Sequence, residues 1–252
     1  MLSEIENTKQ DATVWSIWPT IGFGIAIFAV YFMATFLVTI GYVVFQSATN
    51  SGIDITWLQG LTSDGLLISL TVIIPGIVGT GFIILFVKFR KGISISEYLG
   101  LKLVKKKTIL VLLGVFTGLF LLSLLVDTFF QAPQDAEFSI QAYATSVWPP
   151  LLWIAVVIFA PLFEEAFFRG FLFVGLNRSR LGAAGAIIIT ALLWAALHTQ
   201  YSFYGIVTIL VLGIIFGIVR LVTGSLWSTL FLHSMWNLAA MIGTAMVGKI
   251  GS

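Results

Sequence analysis

Three charged side chains lie close together in an otherwise apolar part of the sequence. Glu164 and Glu165 follow the apolar segment that begins at Ala160, and Arg169 comes four residues after Glu165. On a helix, Glu165 and Arg169 would share a face and could form an ion pair, which would offset much of the cost of burying both charges. Glu164 would point about 100° away from Glu165. It has no nearby cation in the sequence, which makes it a candidate general acid–base.

The chain has only two histidines, and both occur in its apolar C-terminal part. They are His198 and His233, and Asn237 follows His233 by about one helical turn. Histidine and asparagine can both donate hydrogen bonds to a developing oxyanion. A glutamate beside a water molecule could generate the nucleophile. Together these residue types fit water-mediated hydrolysis of an amide bond. The alternative interpretation is that the acids and histidines form a polar seam with no chemical role.

Other mechanisms for such a reaction leave sequence patterns that this chain lacks. It has no cysteine, and it contains no His-Glu-x-x-His, Gly-x-Ser-Gly or Gly-x-Gly-Asp pattern. Metal binding by Glu164, His198 and His233 is compatible with their ligand types. Their spacing does not indicate it specifically, so we assign neither a metal nor a cofactor.

The composition determines the setting in which this chemistry would occur. Of the 252 residues, 59% are hydrophobic and 10% are charged, and the mean hydropathy is +1.06. Soluble domains are typically about 25% charged. The chain is therefore predicted to be an integral membrane protein, which excludes a soluble enzyme, a nucleic-acid binder and a disordered regulator. Its length predicts a single membrane domain over residues 1–252.

The uncharged stretches predict an all-α, polytopic transmembrane bundle of about seven spans, within a range of six to eight. A span needs about 20 apolar residues. The predicted spans cover 19–45, 66–87, 108–130, 147–176, two short helices within 181–219 that are separated by the polar turn 198–202, and 225–247. The first apolar stretch is too long for a signal-peptide core, so we expect it to be a membrane anchor.

The basic residues predict the orientation in the membrane. Seven of the 13 Lys and Arg residues lie between Lys88 and Lys107, which places that loop and the N-terminus in the cytoplasm. The same loop contains Ser94-x-x-Glu97, a capping-box pattern. One interpretation is a short helix that lies on anionic lipid; the alternative is an ordinary cytoplasmic loop.

Four motifs in this order resemble those of a known family. The motifs are Glu164-Glu165-x-x-x-Arg169, Trp194-x-x-x-His198, Gly213-x-x-x-Gly217 and His233-x-x-x-Asn237. They resemble those of the CPBP family, also called Abi or CAAX-type intramembrane proteases. The resemblance covers about residues 147–245, the family-like catalytic core. In the second motif the family more often has Phe where this chain has Trp194.

The resemblance implies a role for each residue of the site. Glu164 would be the base that activates water, with His198 beside it, and His233 with Asn237 would form the oxyanion site. The supporting residues would be Glu165 and Arg169, mainly structural, and Trp194, which should affect packing more than chemistry.

The positions of these residues along their helices leave one question open. At 1.5 Å per residue, Glu164 lies about 20 Å from the cytoplasmic end of its predicted helix, His198 about 25 Å and His233 about 14 Å. The sequence thus places all three inside the membrane but not at one depth.

The resemblance also implies the class of substrate and the location. The substrate would be a membrane-anchored, amphipathic or lipidated peptide in the lipid bilayer, with no nucleic-acid partner, and the location a bacterial plasma membrane. One alternative is a non-catalytic membrane scaffold or bacteriocin-immunity protein of the same fold. Another is a small transporter that uses Glu164 as a proton carrier, although no repeated halves support it.

The assignment without a metal can be tested by chelation. We expect EDTA and phenanthroline to leave peptide hydrolysis by the purified protein unchanged. A loss of activity that zinc specifically restores would instead make Glu164, His198 and His233 metal ligands.

Overall fold

The computed structural model describes residues 14–49, 55–130 and 137–250, and the regular elements in these ranges are helical. In chain order they are α1 (Ile17–Thr49), α2 (Ile55–Gly60), the 3₁₀ turn Leu61–Ser63, α3 (Gly65–Lys88), α4 (Ile95–Leu99), α5 (Lys106–Phe130), α6 (Glu137–Ala144), α7 (Pro149–Asn177), α8 (Gly182–Ala196), α9 (Phe203–Thr223) and α10 (Leu226–Ile250). The predicted all-α bundle is confirmed.

Six of these helices, α1, α3, α5, α7, α9 and α10, are long and apolar enough to cross a membrane. The stretch 181–219 does hold two helices, separated as predicted near residues 198–202. The first of them, α8, has only 15 residues. It is about 22 Å long, whereas the hydrocarbon layer is about 30 Å thick. The described structure thus has six candidate spans and one shorter apolar helix, within the predicted range.

Helix α7 carries the two glutamates and has an irregular backbone. Its π-helical segments cover Ala155–Phe159 and Ala166–Leu172. A π-helical carbonyl pairs with the N–H five residues later, and for Val156 that residue is Pro161, which has no N–H. Asn237 of α10 supplies the missing donor, because its Nδ2 lies 2.8 Å from the Val156 oxygen. In the second segment, Nε of Arg220 donates to the Arg169 carbonyl at 2.9 Å. Side chains from α9 and α10 thus satisfy the carbonyls of α7.

Aromatic side chains of α7 form much of the core. Phe167 packs on Phe28 of α1 with ring centroids 5.0 Å apart, and Phe163 stacks on Tyr31 of α1 at 4.5 Å. Gly79 of α3 lies directly against the Phe163 ring, where a side chain would not fit. Because a glycine allows close helix approach, α1 and α3 enclose this face of α7.

The basic loop after α3 is folded onto the bundle. The capping box is present, since Glu97 N donates to Ser94 Oγ at 3.2 Å and Ser94 N donates to Glu97 Oε2 at 3.0 Å. Hydrogen bonds from Ser94 hold the pKa of Glu97 below its usual value. Tyr98 and Leu99 are buried, and the Tyr98 ring stacks on Phe171 of α7 at 6.0 Å. Burial raises the pKa of Tyr98 to about 12. Helix α4 therefore packs on α7.

The end of α4 meets the junction between α9 and α10. Gly100 has a left-handed φ of 70°, and its carbonyl accepts a hydrogen bond from Leu226 N at 2.9 Å. Arg220 Nη2 donates to the Leu99 carbonyl at 3.2 Å. A Cβ on Gly100 would lie 2.5 Å from Arg220 Nη2 and 2.8 Å from the Gly224 oxygen. This junction has no room for a side chain.

Alanine substitutions at two left-handed glycines separate backbone strain from this close packing. Gly182 has a φ of 59°, and a Cβ added to it would have no neighbouring atom within 4 Å, so Gly182→Ala should cost only the strain, about 1–2 kcal/mol. Gly100→Ala should lower the thermal unfolding temperature in detergent by a clearly larger amount, because Arg220 must also move. Equal shifts for the two variants would contradict the tight junction.

Candidate active site

The carboxyl group of Glu164 lies between α8 and α10. The indole Nε1 of Trp194 on α8 donates a hydrogen bond to Glu164 Oε2. His233 Nε2 on α10 is 3.9 Å from the same oxygen. The Glu164 side chain is 23% exposed, whereas that of His233 is 4% exposed. Glu164 is therefore a partly accessible carboxyl group with two buried partners.

The neighbouring Glu165 is fully buried and contacts two partners through one oxygen. Its Oε1 is 3.0 Å from Arg169 Nη1, which is the ion pair that the i,i+4 spacing predicted, and 2.9 Å from His233 Nδ1. Arg169 Nη2 also donates to the Gly213 carbonyl of α9 at 3.2 Å. Because an ionised carboxylate only accepts hydrogen bonds, His233 Nδ1 carries a proton. Glu165 thus directs His233 Nε2 towards Glu164. This contact between Glu165 and His233 is additional to the predicted ion pair.

His198 lies in the turn that follows α8 and is half-buried. Its Nδ1 is 2.8 Å from the Trp194 carbonyl. A carbonyl only accepts, so Nδ1 is the donor and Nε2 is the acceptor in the neutral ring. The Trp194 ring lies 5.2 Å from the His198 ring and 5.1 Å from the His233 ring. The Trp194 ring therefore lies against both histidine rings.

Asn237 lies about one turn along α10 from His233, as its spacing indicated. One of its amide N–H groups donates to the Val156 carbonyl. An amide nitrogen carries two N–H groups, so a second donor is available for another acceptor. The structure therefore shows Asn237 bonded to the α7 backbone at Val156 and not to Glu164.

The Trp194 side chain makes a polar contact with Glu164 that the sequence analysis did not predict. Its indole N–H donates to Glu164, and a phenyl ring at this position has no such donor. The Arg169 guanidinium also lies 4.6 Å from the Trp194 ring centroid. One sequence signal could have indicated the hydrogen bond to Glu164, because a buried indole N–H normally has a partner.

Two residues near the site were missed by the sequence analysis. Tyr31 of α1 stacks on Phe163, the residue before Glu164, although it lies outside the motifs. Arg220 is buried and bonds to the Arg169 carbonyl. Its position in an apolar helix was a usable signal, because a charge in a span usually has a specific partner.

No three His, Cys, Asp or Glu side chains in the described parts of the chain lie together in a way that could hold a metal ion. The site that the described residues do form is a cluster of carboxyl, imidazole and indole groups.

The fold and this cluster define a class: a multi-pass helical membrane protein with a glutamate–histidine site in its interior. Residues 146–239 match a family model described as type II CAAX prenyl endopeptidase Rce1-like. This match confirms the resemblance to the CPBP, or Abi, family over nearly the region that the motifs indicated, and the family is one of proteases. No curated protein and no solved structure matches the chain.

The buried ion pair leads to a stability prediction. Arg169→Ala or Glu165→Ala leaves one buried charge without its partner and should cost about 3–5 kcal/mol. The double change Glu165→Gln with Arg169→Met should recover part of that loss, because no lone charge is left and Gln still offers His233 Nδ1 an acceptor. Thermal unfolding in detergent measures both. A fully stable but inactive Arg169→Ala would instead indicate that Arg169 acts on the substrate.

Proposed function

We propose that the protein is an intramembrane endopeptidase that hydrolyses a peptide bond with water activated by Glu164. The observation that carries the proposal is the position of the Glu164 carboxyl group. It is partly exposed, it accepts from Trp194, and it faces the Nε2 atom of His233. The match to a family of CAAX prenyl endopeptidases supports the same reaction class.

In the proposed reaction, the Glu164 carboxylate removes a proton from a water molecule. The resulting hydroxide attacks the carbonyl carbon of the peptide bond, and the carbonyl oxygen becomes an oxyanion. When the tetrahedral intermediate collapses, the C–N bond breaks and Glu164 returns the proton to the leaving amine. His198 Nε2, an acceptor in the neutral ring, can hold the second hydrogen of the water.

The oxyanion would be stabilised from α10. Glu165 fixes His233 Nδ1, so Nε2 is the atom that points towards the site. In the imidazolium form, Nε2–H donates to the oxyanion, and the second N–H of Asn237 is the other donor. Donors held in place before the reaction stabilise charge without reorganisation. In this scheme Glu165 orients the histidine and Arg169 neutralises Glu165.

We further propose a membrane-anchored, amphipathic or lipidated peptide as the substrate. Glu164 lies within a helix that is apolar and long enough to cross the bilayer, so a substrate must present its peptide bond from within the membrane. The charge distribution supports an orientation with the N-terminus in the cytoplasm, because the basic loop 88–107 then lies on that side. We propose the bacterial plasma membrane as the location.

A single substitution tests the role of Glu164. Glu164→Gln keeps the shape and an acceptor for Trp194 but removes the base, so hydrolysis should fall at least about 10²-fold. The assay uses purified protein in lipid vesicles with two internally quenched peptides. One peptide is prenylated at its C-terminus, and the other is hydrophobic without a lipid.

Glu137→Gln is the matched control, because Glu137 is exposed at the start of α6. Near-normal turnover by folded Glu164→Gln protein would refute Glu164 as the base. If the folded wild-type protein cleaved neither peptide, the non-catalytic scaffold would be the better account.

A further inference from the structure

Trp194 contacts four of the candidate site residues. Its N–H donates to Glu164, its ring adjoins both histidine rings, and the Arg169 guanidinium lies over its face. The residue is 3% exposed. A single buried indole thus contacts the candidate base, the two candidate imidazoles and the buried cation.

The surroundings of Trp194 hold the ring in one orientation. On the α9 side, Gly213 gives the ring its space, because a Cβ on Gly213 would lie 3.1 Å from Trp194 Cε3. Phe216 of α9 packs at a centroid distance of 5.7 Å. Arg169 lies over the ring and is itself held by Glu165 and the Gly213 carbonyl. A ring packed against these groups cannot turn freely, so the direction of its N–H is fixed.

The two oxygens of Glu164 are therefore in different environments. Trp194 Nε1 donates to Oε2, and His233 Nε2 also faces Oε2. The remaining oxygen, Oε1, is the one that can approach a water molecule without giving up these contacts. An N–H hydrogen bond to a carboxylate is charge-assisted and directional, so it selects one rotamer of the carboxyl group.

We propose that Trp194 is a positioning residue: through its indole N–H it holds Oε2 of Glu164 and leaves Oε1 to activate water. This inference rests on the proposed function. The inference also goes beyond the family motif. The motif more often has Phe at this position, and a phenyl ring has no donor, so the effect depends on the indole of this chain. The consequence is a site in which the rate of the chemical step depends on a residue that does not touch the substrate.

The test is Trp194→Phe, which keeps an aromatic ring and removes the donor. With the vesicle assay and both peptides, we expect kcat to fall about tenfold or more and KM to change less than about twofold, because Trp194 orients the base and does not touch the substrate. In a Glu164→Gln background, Trp194→Phe should cause no further loss, since residues that act as a unit are not additive. Trp153→Phe is the control, because Trp153 is half-buried on the same helix as Glu164 and about 16 Å along it.

A second variant covers the case in which Trp194→Phe fails to fold. Incorporation of benzothienylalanine at position 194 replaces the N–H with sulfur and keeps the bicyclic shape, and the same loss in kcat is expected. An unchanged kcat in a folded variant, or a rise in KM alone, would overturn the positioning role. If Glu164→Gln abolishes hydrolysis while Trp194→Phe keeps full kcat, only this inference fails. If Glu164→Gln stays active, the proposed function fails.

Discussion

The ion pair between Glu165 and Arg169 is the interaction around which the interior of the bundle is organised. Neither charge could be buried alone in an apolar layer, because an unpaired buried ion costs several kcal/mol. Their contact satisfies only part of each group. A further hydrogen bond joins Glu165 to His233 of α10, and another joins Arg169 to the Gly213 carbonyl of α9. The pair therefore fixes the positions of three helices around the Glu164 carboxyl group.

The π-helical segments of α7 also contribute to the position of the neighbouring helices, through their backbone carbonyls. Each contains a carbonyl that accepts from another helix, Val156 from Asn237 and Arg169 from Arg220. In a regular α-helix these acceptors would be used within the helix. These two hydrogen bonds link α7 to α9 and α10. Arg220 also bonds to the Leu99 carbonyl, so one side chain of α9 joins the basic loop to the helix that carries the glutamates.

The sequence predicts the bundle well because the signal is physical and local. Charges are costly in hydrocarbon, so the uncharged stretches mark the spans, and the i,i+4 spacing of Glu165 and Arg169 marks their pairing. The polar turn 198–202 marked the division of 181–219 into two helices, but the uncharged stretch did not show that the second helix continues past Arg220 to Thr223. Counting residues from the cytoplasmic helix ends gave different depths for Glu164 and His233. That count assumes regular, upright helices. In the structure, α7 contains π turns and the two side chains meet. The Trp194 hydrogen bond was missed because it depends on which way a ring is held.

The length of α8 has a consequence for a bilayer in which this helix would lie. A helix of 15 residues is about 8 Å shorter than the usual hydrocarbon thickness, and one response to such a mismatch is a locally thinner bilayer. The polar turn at His198 lies at the C-terminal end of α8, four residues after Trp194. A thinner bilayer at this place would bring the aqueous phase closer to the site. In the proposed hydrolysis, water is the second reactant, and a helix that is shorter by one or two turns would shorten the distance over which that water has to travel.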